Sequence, residues 1–274
     1  MKLIESKVEI IEQQPGLEGV YKQIELAGRV SYKSEDKITE DSAKEFVDRM
    51  IKSKHGAVLE HGTVYLEIPE ELNVLGFCKY EYNQYSKAVY HSGLGYWFVT
   101  TNFRVLVEND WLDDLKYICE PTKHHEKRIS AKFTIDRINS QSIVRHRTMS
   151  FTQESQRFCN YSKDKFNNEV TFVKPHWFNE EFPASLTWIE AMKDAEKRYF
   201  ELIEMGLKPQ DARGVLPNET KTEIVVTGFE SDWEHFFSLR SPKYGAQGPH
   251  PNIAKLADEL YEKLNNVNTD NKTE

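Results

Sequence analysis

Cysteine is scarce: the 274 residues hold three, Cys78, Cys119 and Cys159, with no CxxC pair and no metal-ligand spacing. So sparse and odd a set excludes a disulfide scaffold and favours a reducing compartment. Long apolar runs are also missing, with nothing near the roughly eighteen residues that mark a transmembrane helix. The opening MKLIESKVEIIEQQ has no apolar stretch behind its lysine, so no signal peptide is expected, and the expected location is cytoplasmic. Positive charge is not in excess either: 36 Lys and Arg against 44 Asp and Glu leave a formal net charge of −8. A general duplex-binding protein would be basic overall. There is no internal repeat and no clear linker. One domain spanning 1–274 is therefore expected, long enough for a sizeable core.

What the chain does have is a concentration of donors. Arg145 to Arg157 reads RHRTMSFTQESQR: three arginines, a histidine, two serines and two glutamines in one short reach. Guanidinium groups match oxyanions two bonds at a time, so such a cluster suits a phosphate and a polar ring system. The competing reading is a solvated basic patch, the usual fate of a charge run. In an acidic chain the cluster points to one small anion rather than to a polyanion. Aromatic content of 12% offers stacking surfaces, as it offers ordinary core.

Periodicity supplies the frame. Residues 2–13 alternate as a first strand, and Glu18 to Ala27 reads as a short helix closed by Gly28. Asp41 to Lys54 has helical spacing, and Val64, Leu66 and Ile68 alternate with Thr63, Tyr65 and Glu67 as a half-buried strand. Residues 70–125 are too long for a plain connection and are expected to carry structure of their own, as a lid or as interface surface. Within them Trp97–Asn109 reads as strand-like and Trp111–Cys119 as a short helix, while Asn102 and Arg104 reach the site or sit on the surface. Glu126 to Ile135 alternates strictly, and from Asp136 a helix leads into the basic motif, whose residues 148–158 read as a polar loop. Ala184 to Met205 is the longest expected helix, with a stripe of core residues from Leu186 to Ile203. Asp211–Leu216 is a shorter helix, Thr220–Gly228 a strand, Asp232–Arg240 and Pro251–Leu264 helices, and 266–274 a frayed tail.

The spacing R-H-R, seven residues, then S, at Arg145, His146, Arg147 and Ser155, resembles the signature of the flavin-dependent thymidylate synthases. Gln153, two before the serine, and Arg157, two after it, meet the longer form of that signature. HGAVLEHGTVYLEIP, with His55, Glu60 and His61, resembles the family's histidine block, and DARGVLPNETKTEIVVTGFESDWEHFFSLR resembles its C-terminal block, with Arg213 and Arg240. The resemblance covers roughly 28–68 and 126–240. It implies an α/β (α+β) fold with mixed or antiparallel sheet and long helices, interrupted by the insertion at about 70–125. It also implies a homotetramer whose active sites are shared between subunits, binding small molecules and neither nucleic acid nor membrane.

The implied activity is reductive methylation of dUMP to dTMP. 5,10-methylenetetrahydrofolate gives the carbon, and FAD reduced by NADPH gives the electrons, with no cysteine nucleophile and no metal. Residue by residue, Arg240 corresponds to the group that polarises the pyrimidine. Ser142, Arg145, Gln153, Glu154, Ser155, Gln156, Arg157 and Arg213 join Arg240 as dUMP contacts. Ser31, His55, Glu60, Arg145, His146, Arg147, Gln153, Phe229 and His235 are the implied FAD contacts. Two positions depart from the family pattern. Phe229 stands where many members have asparagine, so stacking or a backbone contact is expected to replace a flavin hydrogen bond. Ser142, beside Gln141, stands where a glutamine or glutamate is frequent.

Two rivals remain. Cys159, two residues after Arg157, suggests the thymidylate synthases that attack uracil with a thiolate, but it lacks their local setting, and a lone cysteine is usually a small buried hydrophobe. A non-enzymatic nucleic-acid-binding protein using the Arg145–Arg157 cluster would bind with steep salt dependence and carry no chromophore.

Overall fold

The computed structural model describes residues 1–72 and 78–270. In chain order its elements begin with strands β1 (Lys2–Ile4) and β2 (Lys7–Ile11) and helices α1 (Gly16–Tyr32), α2 (Ser42–Lys52) and α3 (Gly56–Leu59). Strands β3 (Thr63–Pro69), β4 (Lys87–His91) and β5 (Tyr96–Asn102) follow, then helix α4 (Phe103–Glu108), strand β6 (Arg128–Asp136) and helix α5 (Arg137–Ile143). Next come strands β7 (Ser150–Gln153) and β8 (Thr171–Val173), helices α6 (Pro183–Glu204) and α7 (Pro209–Ala212), strand β9 (Lys221–Phe229) and helices α8 (Glu230–Arg240) and α9 (Pro251–Asp270).

The expected mixed class with antiparallel sheet is what the chain adopts. A four-stranded sheet runs β2-β6-β9-β7 with every pairing antiparallel. The alternation in β6 turns Ala131, Phe133 and Ile135 to one face, where they meet Ile224 and Val226 of β9 under Trp233 and Phe236 of α8 and Leu256 and Leu260 of α9. Val225 faces the other way, onto Ala27 and Val30 of α1. The sheet is therefore covered on both sides, which is why β9 is buried on both faces from Ile224 to Phe229 and carries the run Ile224–Val226 rather than an alternation. Strand β1 pairs in parallel with β8, so residues 2–13 form two strands that serve different sheets rather than one.

The insertion does build its own structure. Strands β4 and β5 extend β3 into a three-stranded antiparallel sheet, β3-β5-β4, packed against α1, α2 and α4. The strand expected over Trp97–Asn109 stops at Asn102. Its Oδ1 accepts the Val105 amide at 3.1 Å and caps α4, pulling a β-branched run into a helix. The helix expected over Trp111–Cys119 is a tight 3₁₀ run, Leu112–Tyr117. Residues 73–77 of the insertion lie outside the described residues.

Four further expectations change. Gly28 does not end α1; the helix runs on to Tyr32 and closes at Lys33, whose φ is +47°. A Cβ on Gly28 would meet Phe46 Cζ at 2.4 Å, so the glycine is there to let α2 approach. Residues 148–158 are not all loop, since Ser150–Gln153 adds an edge strand to the main sheet. On α6 the apolar stripe is only partly core: Met192 and Tyr199 are buried, but Leu186 is 59% exposed. The last helix continues to Asp270, past the expected start of fraying, and 271–274 lie outside the described residues.

Candidate active site

The basic motif begins where α5 ends. Asp136 caps that helix by accepting the Asn139 amide at 2.8 Å, and the chain leaves it after Ile143. The turn that follows exposes Arg145 and Arg147 and drives His146 inward between them. Its ring lies 5.1 Å from that of Phe236 and 5.6 Å from that of His235. Both ring nitrogens are buried without a hydrogen-bond partner. Burial, with Arg240 and His235 nearby, pulls its pKa down to about 4. At neutral pH it therefore offers one donor and one acceptor and no charge.

Arg240 closes α8 beside it. Cations are favoured at a helix C-terminus, and Nη2 is steadied by donating to the Ser142 carbonyl at 3.2 Å. Nε is buried with no partner. Burial, then the neighbouring Arg145, lower its pKa from the ordinary guanidinium value. Ser142 thus meets Arg240 through its backbone.

The second group hangs from β7. Gln153 Nε2 donates to Ser140 Oγ at 2.8 Å and to Thr222 Oγ1 at 3.1 Å. The Glu154 amide donates to the Glu223 carbonyl at 2.7 Å, and the Ser155 amide to the Ser31 carbonyl at 3.0 Å. Ser31 therefore sits in the last turn of α1, against the loop. A chain of alternating charge lies beneath: Glu154 with Lys221 at 2.8 Å, Lys221 with Glu223 at 2.8 Å, Glu223 with Lys33 at 2.7 Å. Burial alone would raise the Glu223 pKa, but the two lysines override it and bring it down to about 2. Glu154 Oε1 remains buried without a partner, and Gln156 lies against the buried Tyr161 hydroxyl. Arg157 and Arg213 are both exposed and meet at Gln210: Arg157 Nε donates to its Oε1 at 3.2 Å, Arg213 Nε to its carbonyl at 3.1 Å.

The third group joins the histidine block to the start of α8. His55 is exposed at the head of α3, and Glu60 at its end pairs with Arg104 Nη1 of the insertion at 2.5 Å. Arg104 thus does reach a predicted site residue, whereas Asn102 serves as a cap. Phe229 is buried, and its ring lies 5.5 Å from the Arg128 guanidinium and 5.6 Å from Lys87 Nζ of the insertion. Its amide donates to Asp232 Oδ2 at 3.0 Å. Neither the ring nor the amide is free, so the ring at this departure from the family pattern is packed by cations of the protein itself.

Arg128 of this group escaped the sequence, and so did the place of His61. Arg128 Nη1 donates to the Glu60 carbonyl at 3.0 Å and Nη2 to Ser150 Oγ at 3.2 Å, so one side chain ties the histidine block, the basic motif and Phe229 together. The alternation of β6 placed Arg128 on the polar face with Ser130 and Lys132, and nothing local distinguished it from them. His61 is fully buried, bridging Thr227 Oγ1 at 2.8 Å and Thr152 Oγ1 at 2.9 Å, with its pKa brought down to about 3 by burial and by Arg128. The pattern flagged the histidine but not its place as a link between two strands.

Among the described residues, no hydrogen bond or ion pair joins the Arg240–His146 group to the Arg157–Arg213 group. Helix α5 touches both: its Ser142 carbonyl accepts from Arg240, and its Ser140 hydroxyl accepts from Gln153 of the second group. The family profile described as thymidylate synthase complementing protein matches residues 122–268, more than half the chain and all of the segment from β6 to α8. The chain belongs to this family. Flavin-dependent thymidylate synthases of Pyrococcus furiosus, Pyrococcus abyssi and Geobacter sulfurreducens are 34%, 36% and 35% identical to this family member over 155, 104 and 106 residues. Those alignments cover 54%, 38% and 39% of the chain and only 62%, 42% and 44% of the relatives' own lengths. Over 96% of the chain and 92% of its counterpart, the fold overlaps the UMP/dUMP methylase PolB of Streptomyces cacaoi, solved with 5-Br dUMP, at a TM-score of 0.46 and 17% identity. The nucleic-acid-binding alternative finds no support among these relatives.

Proposed function

We propose that the chain is a flavin-dependent thymidylate synthase that methylates dUMP reductively to dTMP, taking carbon from 5,10-methylenetetrahydrofolate and electrons from FAD reduced by NADPH. The observation that carries this is the pair of buried polar centres with unpartnered atoms at the RHR motif, His146 with both ring nitrogens and Arg240 with Nε. A buried polar atom left unpaired costs about 1–3 kcal/mol, so such atoms gathered at one place point to a ligand.

The residues present fit a flavin dinucleotide. Arg145 and Arg147 are exposed cations suited to its pyrophosphate, and neutral His146 supplies a donor and an acceptor for a heterocycle. Ser31, His55, Glu60, Gln153 and His235 complete the polar set. Phe229 contributes by supporting Arg128 and Lys87 rather than by a side-chain hydrogen bond. When bound, the flavin supplies the electrons of the methylation; the protein supplies binding and field. Uracil C5 is a weak nucleophile, and carbon joins it only when negative charge is drawn into the ring. Arg240, held by the Ser142 carbonyl, is a fixed positive charge that stabilises the ionised pyrimidine. A guanidinium does not act as a base in this range, so its role is electrostatic. Gln153 to Arg157, with Arg213, hold the nucleotide and its phosphate.

A cysteine-free route is supported by Cys159 itself: it is 1% exposed, and burial, then Glu154, push its thiol up to about 12. A thiol so placed is not an activated nucleophile. The assembly we propose is a cytoplasmic homotetramer with active sites shared between subunits, in keeping with membership of the family.

The test is the flavin spectrum of the purified protein with and without dUMP. Bound flavin absorbance that shifts on adding dUMP is expected. A colourless protein that ignores added FAD removes the assignment.

A further inference from the structure

A second cation-lined cleft, of about 630 Å³, opens between the C-terminal end of α1, the outer side of α2 and the turn at residues 163–165. Arg29, Lys37, Arg49, Lys163 and Lys165 line it together with His55, while Asp36 is the one acidic residue of the lining. In a chain of net charge −8 this is a local reversal of sign. Gathering like charges in a concave surface is unfavourable without an anion, because the walls focus the field.

Not all of these cations are available. Arg29 is committed to Glu25 at 2.8 Å, and Lys165 Nζ donates to the Lys33 carbonyl at 2.9 Å. Lys37, Arg49 and Lys163 are exposed, and among the described residues none of the three forms an ion pair. Arg49 is nonetheless not loose. Its guanidinium lies 5.2 Å from the Phe46 ring and that of Arg29 lies 4.9 Å from it, so the aromatic holds the fork in place. Of the rest of the lining, Phe46 and Met50 are buried, while Tyr32 and Ser34 are half-buried and Ser53 exposed, each carrying a hydroxyl. The volume falls within the range of roughly 300–1,000 Å³ usual for small-molecule pockets.

The cleft adjoins the nucleotide loop without being part of it. The Ser31 carbonyl takes the Ser155 amide, and the Tyr32 ring lies 5.3 Å from that of Phe158. Arg157 and Arg213, the cations of the nucleotide loop, are not among its lining. His55, one of the flavin contacts proposed above, also lines it, so a ligand here is a co-substrate that lies beside the flavin site and carries a compact anion. Resting on the proposed function, we infer that Lys37, Arg49 and Lys163 bind the 2′-phosphate of NADPH and so select the phosphorylated nicotinamide dinucleotide over NADH. A phosphomonoester of nearly two charges suits an arginine fork flanked by two lysines. The pyrophosphate common to both dinucleotides gives no discrimination.

The experiment compares the full-length protein with the Lys37→Gln/Arg49→Gln/Lys163→Gln variant, whose three positions are exposed and whose folding, with the Arg49 contact on Phe46 removed, is checked by thermal melting. Adenosine 2′,5′-bisphosphate and 5′-AMP are titrated calorimetrically into each, which needs no turnover. The wild type is expected to bind the bisphosphate roughly tenfold or more tightly than 5′-AMP, and the variant to lose that margin. On flavin-loaded protein, kcat/KM for NADPH oxidation is expected to fall by a similar factor while that for NADH stays within roughly twofold. Equal affinity of the wild type for both probes overturns the inference, as does an equal fall for NADPH and NADH. So does a variant whose loss is confined to dUMP or to the glutamate tail of the folate. A protein that binds no flavin fails the proposed function instead, and the probe titration still decides the cleft.

Discussion

Arg157 and Arg213 meet on a single residue, Gln210, whose side chain takes one guanidinium at 3.2 Å and whose carbonyl takes the other at 3.1 Å. Two exposed cations held this close repel unless they share an anion, and Gln210 fixes their separation before the anion arrives. Each guanidinium keeps nitrogens unused by Gln210 for a phosphate. Arg157→Ala and Arg213→Ala are each expected to weaken dUMP binding by about 1.5–3 kcal/mol, the range for a charge-assisted hydrogen bond. Gln210→Ala, which removes orientation but not charge, is expected to cost less than either. Calorimetric titration of dUMP checks the order, and a Gln210 variant weaker than both arginine variants contradicts it.

Two buried histidines set an acid limit on stability. His146 and His61 have folded pKa values of about 4 and about 3, below the ordinary 6.5. As pH falls below 6.5 the unfolded chain takes up these protons first, so stability is lost between about 6.5 and 4 for His146, and down to about 3 for His61. Above 6.5 neither contributes a slope. Glu223, held at about 2 against an ordinary 4.5, acts in the same direction but lower, its contribution being lost as pH falls through 2. Denaturant midpoints are expected to be level from pH 7.5 to 6.5 and to fall below that, each histidine costing on the order of 3–5 kcal/mol across its full window. His61→Gln is expected to flatten the slope below 6.5; an unaltered slope assigns the acid loss elsewhere.

What the sequence made legible was what its local patterns encode. The period-2 run of β6, the apolar run of β9 and the helix ending in Arg240 follow from spacing alone, and the RHR motif follows from its letters. What stayed hidden depends on partners distant in the chain. Gly28 looks like a stop because a glycine after a helical run usually is one, and only Phe46, packed across from it, gives it another purpose. Val105 to Val107 look like strand until Asn102 caps them. Residues 150–153 become strand because β9 offers an open edge. In the candidate site, Lys33, Glu223 and Arg128 are ordinary surface letters until the fold brings α1, β9 and β6 together.

The Gly28 contact gives a stability prediction in which two effects oppose. Gly28→Ala removes a helix-interior glycine, which alone stabilises by about 1 kcal/mol. The new methyl would meet Phe46 Cζ at 2.4 Å, Phe46 Cε1 at 2.7 Å and Val58 Cγ1 at 2.9 Å. Phe46 is buried with arginine guanidiniums 4.9 and 5.2 Å from its ring, so it has little room to yield. Overpacking of this kind costs typically 1–3 kcal/mol and here should outweigh the propensity gain. A lowered melting temperature is expected, by roughly 2–4 °C per net kcal/mol for a chain of this size. A raised melting temperature would mean that α2 moves away at little cost.

Glu223 offers a way to disturb the nucleotide loop without touching it. Its carboxylate bridges Lys33 and Lys221, and Lys221 in turn holds Glu154 at the head of the loop. The backbone bond from the Glu154 amide to the Glu223 carbonyl survives a side-chain change, so Glu223→Gln isolates the charge. Each lysine keeps a second carboxylate, Glu35 for Lys33 and Glu154 for Lys221, so neither is left fully unpaired. The stability loss is therefore expected at about 1–3 kcal/mol, below the 3–5 kcal/mol of a broken isolated buried pair. Lys221, released on one side, draws Glu154 toward itself and shifts Ser155 to Arg157 with it. A rise in the dUMP dissociation constant of roughly three- to tenfold is expected, with turnover at saturating dUMP little changed. Turnover lost with unaltered dUMP affinity would place Glu223 among the groups that act on the reacting ring rather than on its grip.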